Sequence, residues 1–246
     1  MKRLLSFFSR KKPQHKSGTN SHLHTYRLKG YTEEEMFGKE DVKEIIDDFE
    51  KAVKYLSVRI YNKDYILSFK HDELVYRKDL EGTVTVLVLD LPHSVESLLR
   101  MNVEKWSKND DELFAIAIQN VAEKYKREVE KTDQIFYTLT GDDVFITSSV
   151  FHLSSYPALM GKYGAIFCIP TRHILLVCPI SSDLDAEVCL QLMIPLADKK
   201  TEEDAENAIT NNLFWHYNGT NELIYTYYLP NRLKYVLPPD LEEMIY

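Results

Sequence analysis

A single α+β domain, with a mixed or antiparallel sheet packed by helices behind a basic, disordered N-terminal tail, is what this 246-residue sequence predicts. Three features predict it. Segments with a helical apolar period alternate with short runs of β-branched and aromatic residues. One run, "TVTVLVLDL", is apolar almost without alternation, as a strand covered on both faces is. Another stretch, "LFWHYNGTNELIYTYYL", sets Asn218-Gly219 between two aromatic-rich runs, and that dipeptide accepts positive φ at both positions of a tight hairpin turn.

The elements follow in order. Regular structure starts near Lys39, where Val42, Ile45, Ile46, Phe49, Ala52, Val53 and Leu56 recur at three- and four-residue steps and predict one helix with acids at its start. "LSVRIY" and "DYILSFK", joined by Asn62-Lys63, read as a strand pair, and "TVTVLVLDL" as a central strand. A short helix is expected over Ser94 to Arg100. A long one follows over residues 109–127, with Ser107 and Asp110 as its capping box and Leu113, Phe114, Ala117, Ile118, Val121 and Tyr125 as its apolar face. Strands are expected at Gln134–Thr140 and Asp143–Thr147, then a helix at Phe151–Met160. "KYGAIFCIPTRHILLVCPI" reads as a hairpin whose first arm is an interior strand beneath the long helix. A helix at Leu184–Ile194 should end at Pro195, Thr201 should cap a short successor, and strands at Leu213–Tyr217 and Glu222–Tyr228 close the chain.

Charge divides the chain in two. Residues 1–32 hold eight of the 30 Lys and Arg and none of the 38 acids, so a flexible basic tail precedes a domain, 33–246, that carries 22 basic against 38 acidic residues, a net of −16. Such a body repels phosphates, which argues against nucleic-acid binding by the folded part. The tail, with Leu4, Leu5, Phe7 and Phe8 beside its cations, suits a weak peripheral contact with anionic membrane. Its apolar cluster is too short for a signal-peptide core. His22 and His24 lack a third ligand nearby.

Candidate chemistry is sparse. Cys168, Cys178 and Cys189 contain no C-x-x-C spacing and read as small buried hydrophobes in a reducing compartment. If Thr171 and Arg172 form the hairpin turn, Cys168 lies opposite Leu175 and Cys178 faces the other side of the sheet, so the two thiols cannot bridge; a register shifted by one reverses that parity. Phosphate-binding loops, a nucleophile elbow and H-E-x-x-H are missing, and no cofactor is expected. Asp110-Asp111 and Asp142-Asp143 are adjacent carboxylates, whose side chains diverge, so no metal is expected there either. Arg172 and His173 at the hairpin tip, with Asp142, are the candidate binding residues, because polar tips on rigid sheets are common recognition sites. Asn120, near the apolar face of its helix, is expected to bond to backbone.

From Trp106 onward the chain resembles the YtpQ-like family of bacterial proteins, through "NDDELFAIAIQNV", "GDDVFITSSVFHL", "GAIFCIPTRHILLV" and "NLFWHYNGTNELIYTYY". The resemblance implies a soluble α+β protein of the bacterial cytoplasm with no established activity, hence no catalytic residues to carry over. The expected role is a non-catalytic interaction module whose acidic body, with Trp215, Tyr217, Tyr225, Tyr227 and Tyr228, engages a basic protein. The alternative is an enzyme, hydrolase-like, with its site at the Arg172-His173 tip.

Overall fold

The computed structural model describes residues 42–70, 72–92, 94–132, 135–140, 143–230 and 232–246; the basic tail and Asp142 lie outside them. Within these residues the fold is α+β, with two antiparallel sheets packed by helices. In the first, β3 (Thr83–Leu91) pairs on one side with β1 (Leu56–Asn62) and on the other with β2 (Tyr76–Arg77) and β4 (Ser94–Ser97). All nine residues of β3 are buried, as its unbroken apolar run requires. The second sheet has seven strands: β5 (Glu128–Lys131), β6 (Tyr137–Thr140), β7 (Ala165–Thr171), β8 (Ile174–Pro179), β9 (Leu213–Tyr217), β10 (Thr220–Leu229) and β11 (Arg232–Val236). Their spatial order is β11-β10-β9-β7-β8-β6-β5.

Three apolar clusters fill the layers. The first lies between the small sheet, α1 (Val42–Asp47) and α4 (Asp110–Lys124), with Leu113, Phe114, Ala117 and Val121 buried as their spacing predicts. The second lies between one face of the large sheet and α5 (Asp183–Glu203), closed at one end by α6 (Pro239–Ile245). The third packs the opposite face, through Phe167, Val177 and Phe214, against Ile146, Val150 and Leu153 of a 3-10 segment, Ile146–Ser155. That segment also touches the small sheet: Ile60 of β1 belongs to the same cluster, and Ser148 Oγ donates to the Val58 carbonyl at 2.7 Å. Asn120 donates to the carbonyls of Val53 and Leu56, the backbone role its position suggested.

Several expectations are corrected, each for a local reason. The first helix breaks at Asp48, whose extended backbone and side chain cap a second short helix, α2 (Phe49–Ala52). Asn62 does not turn a hairpin. Its Oδ1 accepts from Asp64 N and starts a 3-10 helix over Lys63–Ser68, so β1 finds its partner in β3 instead. Residues 94–97 form β4, and a one-turn helix, α3 (Arg100–Val103), follows. The cap of α4 is Asn109 rather than Ser107: Asn109 Oδ1 accepts from Glu112 N at 2.9 Å and Glu112 Oε2 from Asn109 N at 3.0 Å. Asp143–Thr147 is no strand, and 3-10 turns replace the helix expected over 151–160. Helix α5 runs through Pro195, and Thr201 lies inside it. Proline removes one backbone hydrogen bond. Here the apolar face continues on both sides of it, in Cys189, Leu190, Met193, Ile194 and Ala197, so packing against the sheet carries the helix onward. The same helix, not α4, covers β7. Strands β5 and β11 and helix α6 have no counterpart in the sequence reading.

The turn between β9 and β10 is as expected, with Asn218 at φ 48° and Gly219 at φ 79° and Tyr217 paired with Thr220. Gly164 also takes a positive φ, 81°, but for a second reason: a Cβ there would lie 2.2 Å from the His216 carbonyl oxygen, whereas one at Gly219 would meet nothing within 4 Å. The two glycines therefore separate backbone conformation from close approach. Gly219→Ala should cost about 1 to 2 kcal/mol, the left-handed penalty alone. Gly164→Ala should cost at least about 3 kcal/mol, because the β7–β9 pairing must also shift. Denaturant midpoints of the two variants check this, and equal losses would refute the close-approach argument.

Candidate functional site

The sequence points to the tip of the β7–β8 hairpin. The structure pairs Thr171 with Ile174, so Arg172 and His173 are the two turn residues; the Thr171-Arg172 turn is corrected by an irregularity between Cys168 and Thr171 that shifts the register. The tip is not a free loop. Arg172 N donates to the Asn207 carbonyl, Ile209 N to that of Pro170 and Thr210 N to that of Ile169, at 2.9 to 3.1 Å. His173 is exposed and its Nε2 accepts from Arg172 Nε at 3.2 Å. Partial burial, with the charge of Arg172 beside it, holds the His173 pKa below its ordinary value. An arginine cannot exchange protons in water, so this pair is no acid-base couple. The third nominee, Asp142, lies outside the described residues; its neighbour Asp143 is committed to Arg127.

The shifted register also moves the cysteines. Cys168 pairs with Leu176 and Cys178 with Ile166, which puts both thiols on one face of the sheet, the parity that the one-residue shift produces. Cys189 of α5 packs in the same apolar cluster, and the Cys178 thiol donates to the Pro179 carbonyl. All three are free and buried, and burial raises the pKa of Cys168 and Cys189. Protonated thiols in an apolar layer pack as hydrophobes. Asp110 is likewise committed, to both guanidinium nitrogens of Arg100. Among the described residues no group of three His, Cys, Asp or Glu can hold a metal ion. A groove of about 420 Å³ runs past Asp72, Tyr76, Arg77, Lys78 and Arg100, but Arg77 pairs with Asp79 and Arg100 with Asp110, which blunts its positive charge.

A polar network gathers around Arg127 and Tyr125, where the chain passes from α4 to β5. The Arg127 side chain has 0 % exposure; its guanidinium grips both oxygens of Asp143, and its Nε donates to Ser149 Oγ at 2.9 Å. Tyr125, stacked on Phe145, donates its hydroxyl to Asp90, which also binds Lys124. Burial and the Asp90 carboxylate raise the Tyr125 pKa. His152 lies beside this network with both ring nitrogens buried and without a hydrogen-bond partner among the described residues. Burial first, and the Arg127 charge second, push its pKa down to about 4.

The most ordered constellation of reactive side chains was not nominated from the sequence. The I′ turn that pairs Tyr217 with Thr220 also sets His216 of β9 opposite Asn221 of β10. His216 is 3 % exposed; its Nδ1 lies 2.7 Å from Asn221 Oδ1 and its Nε2 lies 2.7 Å from Ser154 Oγ. Ser154, near the end of the 3-10 segment, is exposed. An amide oxygen accepts only, so Nδ1 carries the proton and Nε2 presents its lone pair to the serine hydroxyl. The His216–Asn221 half was readable from the Asn-Gly turn by counting two residues outward on each arm. Ser154 was not, since only the packing of the third cluster brings the 3-10 segment onto β9.

Beyond Asn221 the same face of β10 carries Leu223, Tyr225 and Tyr227, by the two-residue period of a strand. Tyr225 sits opposite Val236 and Tyr227 opposite Lys234, and Tyr225, Tyr227 and Val236 are 64 %, 48 % and 52 % exposed. Trp215, by contrast, is buried, and Tyr217 stacks on it at 5.2 Å. No family model, curated protein or solved structure matches the chain. Among the described residues no helix is long and apolar enough to cross a membrane.

The His152 environment fixes a pH response. Its folded pKa, about 4, lies below the ordinary 6.5, so the unfolded chain binds the proton more readily between those values. Stability contributed by neutral His152 is therefore complete above about pH 6.5 and lost as pH falls through about 4. In His152→Leu the slope of unfolding free energy against pH should flatten across that window. An unchanged slope would show that His152 does not titrate as its surroundings dictate.

Proposed function

We propose that the protein is a non-catalytic interaction module of the bacterial cytoplasm whose acidic body binds a basic protein through the outer face of the β10–β11 hairpin. The single observation that carries this reading is the clustering of Tyr225, Tyr227 and Val236, all exposed and on one side of a hairpin at the edge of the large sheet. Isolated exposed apolar residues are ordinary; three adjoining ones on a regular surface are what interface anchors look like. Helix α6, separated from Val236 by two residues, carries Asp240, Glu242 and Glu243 exposed. The charge of −16 over residues 33–246 favours a cationic partner and speeds its approach. The compartment follows from the YtpQ-like resemblance, and three free thiols accord with it. The basic tail, residues 1–32, is left free in this reading to make its own weak contact with anionic membrane.

A peptide rich in Lys and Arg with interspersed aromatic residues, titrated into the full chain by calorimetry, tests the proposal. Binding should weaken steeply as salt rises from about 50 to about 500 mM, where screening shortens to a few ångströms. Tyr225→Ala with Tyr227→Ala should weaken it at least about tenfold, the loss of one strong anchor. Equal binding of an acidic peptide, or indifference to the double substitution, would count against this surface.

A further inference from the structure

We propose that Ser154 is the nucleophile of an acyl-transfer site, with His216 as its general base, acting on esters with small apolar or aromatic acyl groups. The proposal stands on the geometry of these side chains; it replaces the non-catalytic part of the preceding reading and shares Tyr225 and Tyr227 with its docking surface. Three side chains from three segments, the 3-10 segment, β9 and β10, meet in a line with two contacts of 2.7 Å. Nucleophile, base and orienting group in hydrogen-bond contact are the minimum apparatus of serine acyl transfer, and unrelated folds arrive at it in any chain order.

The burial gradient along the line matters as much as the distances. Asn221 is half-buried, His216 is 3 % exposed and Ser154 is exposed, so the base is shielded from solvent while the hydroxyl it serves is open to a substrate. The imidazole is held at three points: Asn221 fixes Nδ1, Ser154 engages Nε2, and the backbone of His216 is pinned in β9 by pairing with Ala165 on one side and Asn221 on the other. Gly164 allows the β7 end to approach the His216 backbone carbonyl closely. Apolar surface on the same sheet face, in Leu223 and then Tyr225 and Tyr227, runs along β10 from the site and offers a seat for an alkyl or aryl group.

In the reaction Ser154 Oγ adds to the ester carbonyl carbon as its proton passes to His216 Nε2. Collapse of the tetrahedral species breaks the acyl C–O bond, and the departing alkoxide takes that proton. Water then adds to the acyl-serine through the same base, releasing a carboxylic acid and restoring Ser154. Asn221 is a positioning residue: it sets the tautomer but carries no charge to offset the imidazolium formed during attack. A carboxylate in its place supplies that charge, so Asn221→Asp should make the site faster, an outcome that a merely structural amide does not produce.

The test is covalent labelling of the full chain with a fluorophosphonate, in which a Ser154 Oγ–P bond forms and fluoride leaves, with the adduct mapped by mass spectrometry and p-nitrophenyl acetate hydrolysis followed in parallel. The expected result is one adduct, on Ser154. Ser154→Ala should remove both adduct and hydrolysis, and His216→Gln should slow labelling at least about 100-fold, the lower end of general-base contributions. Asn221→Asp should accelerate it about tenfold or more. Because His216→Gln alters a buried residue and can unfold the chain, the exposed Ser154→Ala and half-buried Asn221→Asp variants decide the matter. No adduct on Ser154, or labelling indifferent to Asn221→Asp, overturns the proposal.

Discussion

The Ile209 carbonyl is where the two sheets are joined, and the rest of the structure depends on how the polar groups around it are satisfied. Asn62, at the end of β1, donates its amide to this carbonyl at 2.7 Å, while Ile209 N donates to Pro170 at the end of β7. Three residues on, Asn212 returns the favour by donating to the Glu81 carbonyl just before β3. The stretch 207–212 is thus stitched on one side to the large sheet and on the other to the small one. Ile209 is buried, and leaving its backbone groups unpaired would cost more than either of its bonds contributes, which favours one register for the seam. With the seam fixed, the 3-10 segment 146–155 fills the space between the layers, and its far end delivers Ser154 to β9.

The same logic explains where reactive groups are quiet. Three thiols converge under α5 in an apolar layer, and burial raises the pKa of Cys168 and Cys189. Arg127 is buried, yet Asp143 and Ser149 meet its donors, and breaking that arrangement would strand a charge rather than free a catalyst. The hairpin tip carries a histidine, but its neighbour is an arginine and its backbone is spent on the seam. The line from Ser154 through His216 to Asn221 differs in one respect: it starts at an open surface and ends in the interior.

Legibility of this fold in its sequence varied with the range of the determining interaction. β3 was legible because nine consecutive residues are buried and the run needs no partner to be recognised. The Asn218-Gly219 turn was legible because the conformation is a property of the two residues themselves. The 3-10 turn after Asn62 was misread as a strand, since apolar spacing in "DYILSFK" fits either and a side-chain cap decided it. Pro195 was misread as a stop, because the burial that carries α5 past it belongs to a sheet far off in sequence. At the hairpin tip Arg172 is half-buried and His173 exposed, and a single irregularity in β7 was enough to bring both cysteines to one face. Ser154 and His216, 62 positions apart, are related only through tertiary packing, and no local pattern encodes that.

The large sheet is assembled from local hairpins with two exceptions, the β6–β8 and β7–β9 pairings. β7 turns directly into β8, and β9, β10 and β11 follow one another as a meander, but β9 reaches β7 only after the chain has travelled the whole of α5. Ala165 and His216 are the partners at that junction. Loop-closure entropy makes such a pairing slower to nucleate than a local hairpin, so the β7–β8 and β9–β10 hairpins are expected to form before their union. His216 and Asn221 are united as soon as their own hairpin closes, whereas Ser154 arrives on the other side of the late junction. The contact between Ser154 and His216 therefore reports on the β7–β9 junction, and is expected to form with that junction and to be lost when it opens.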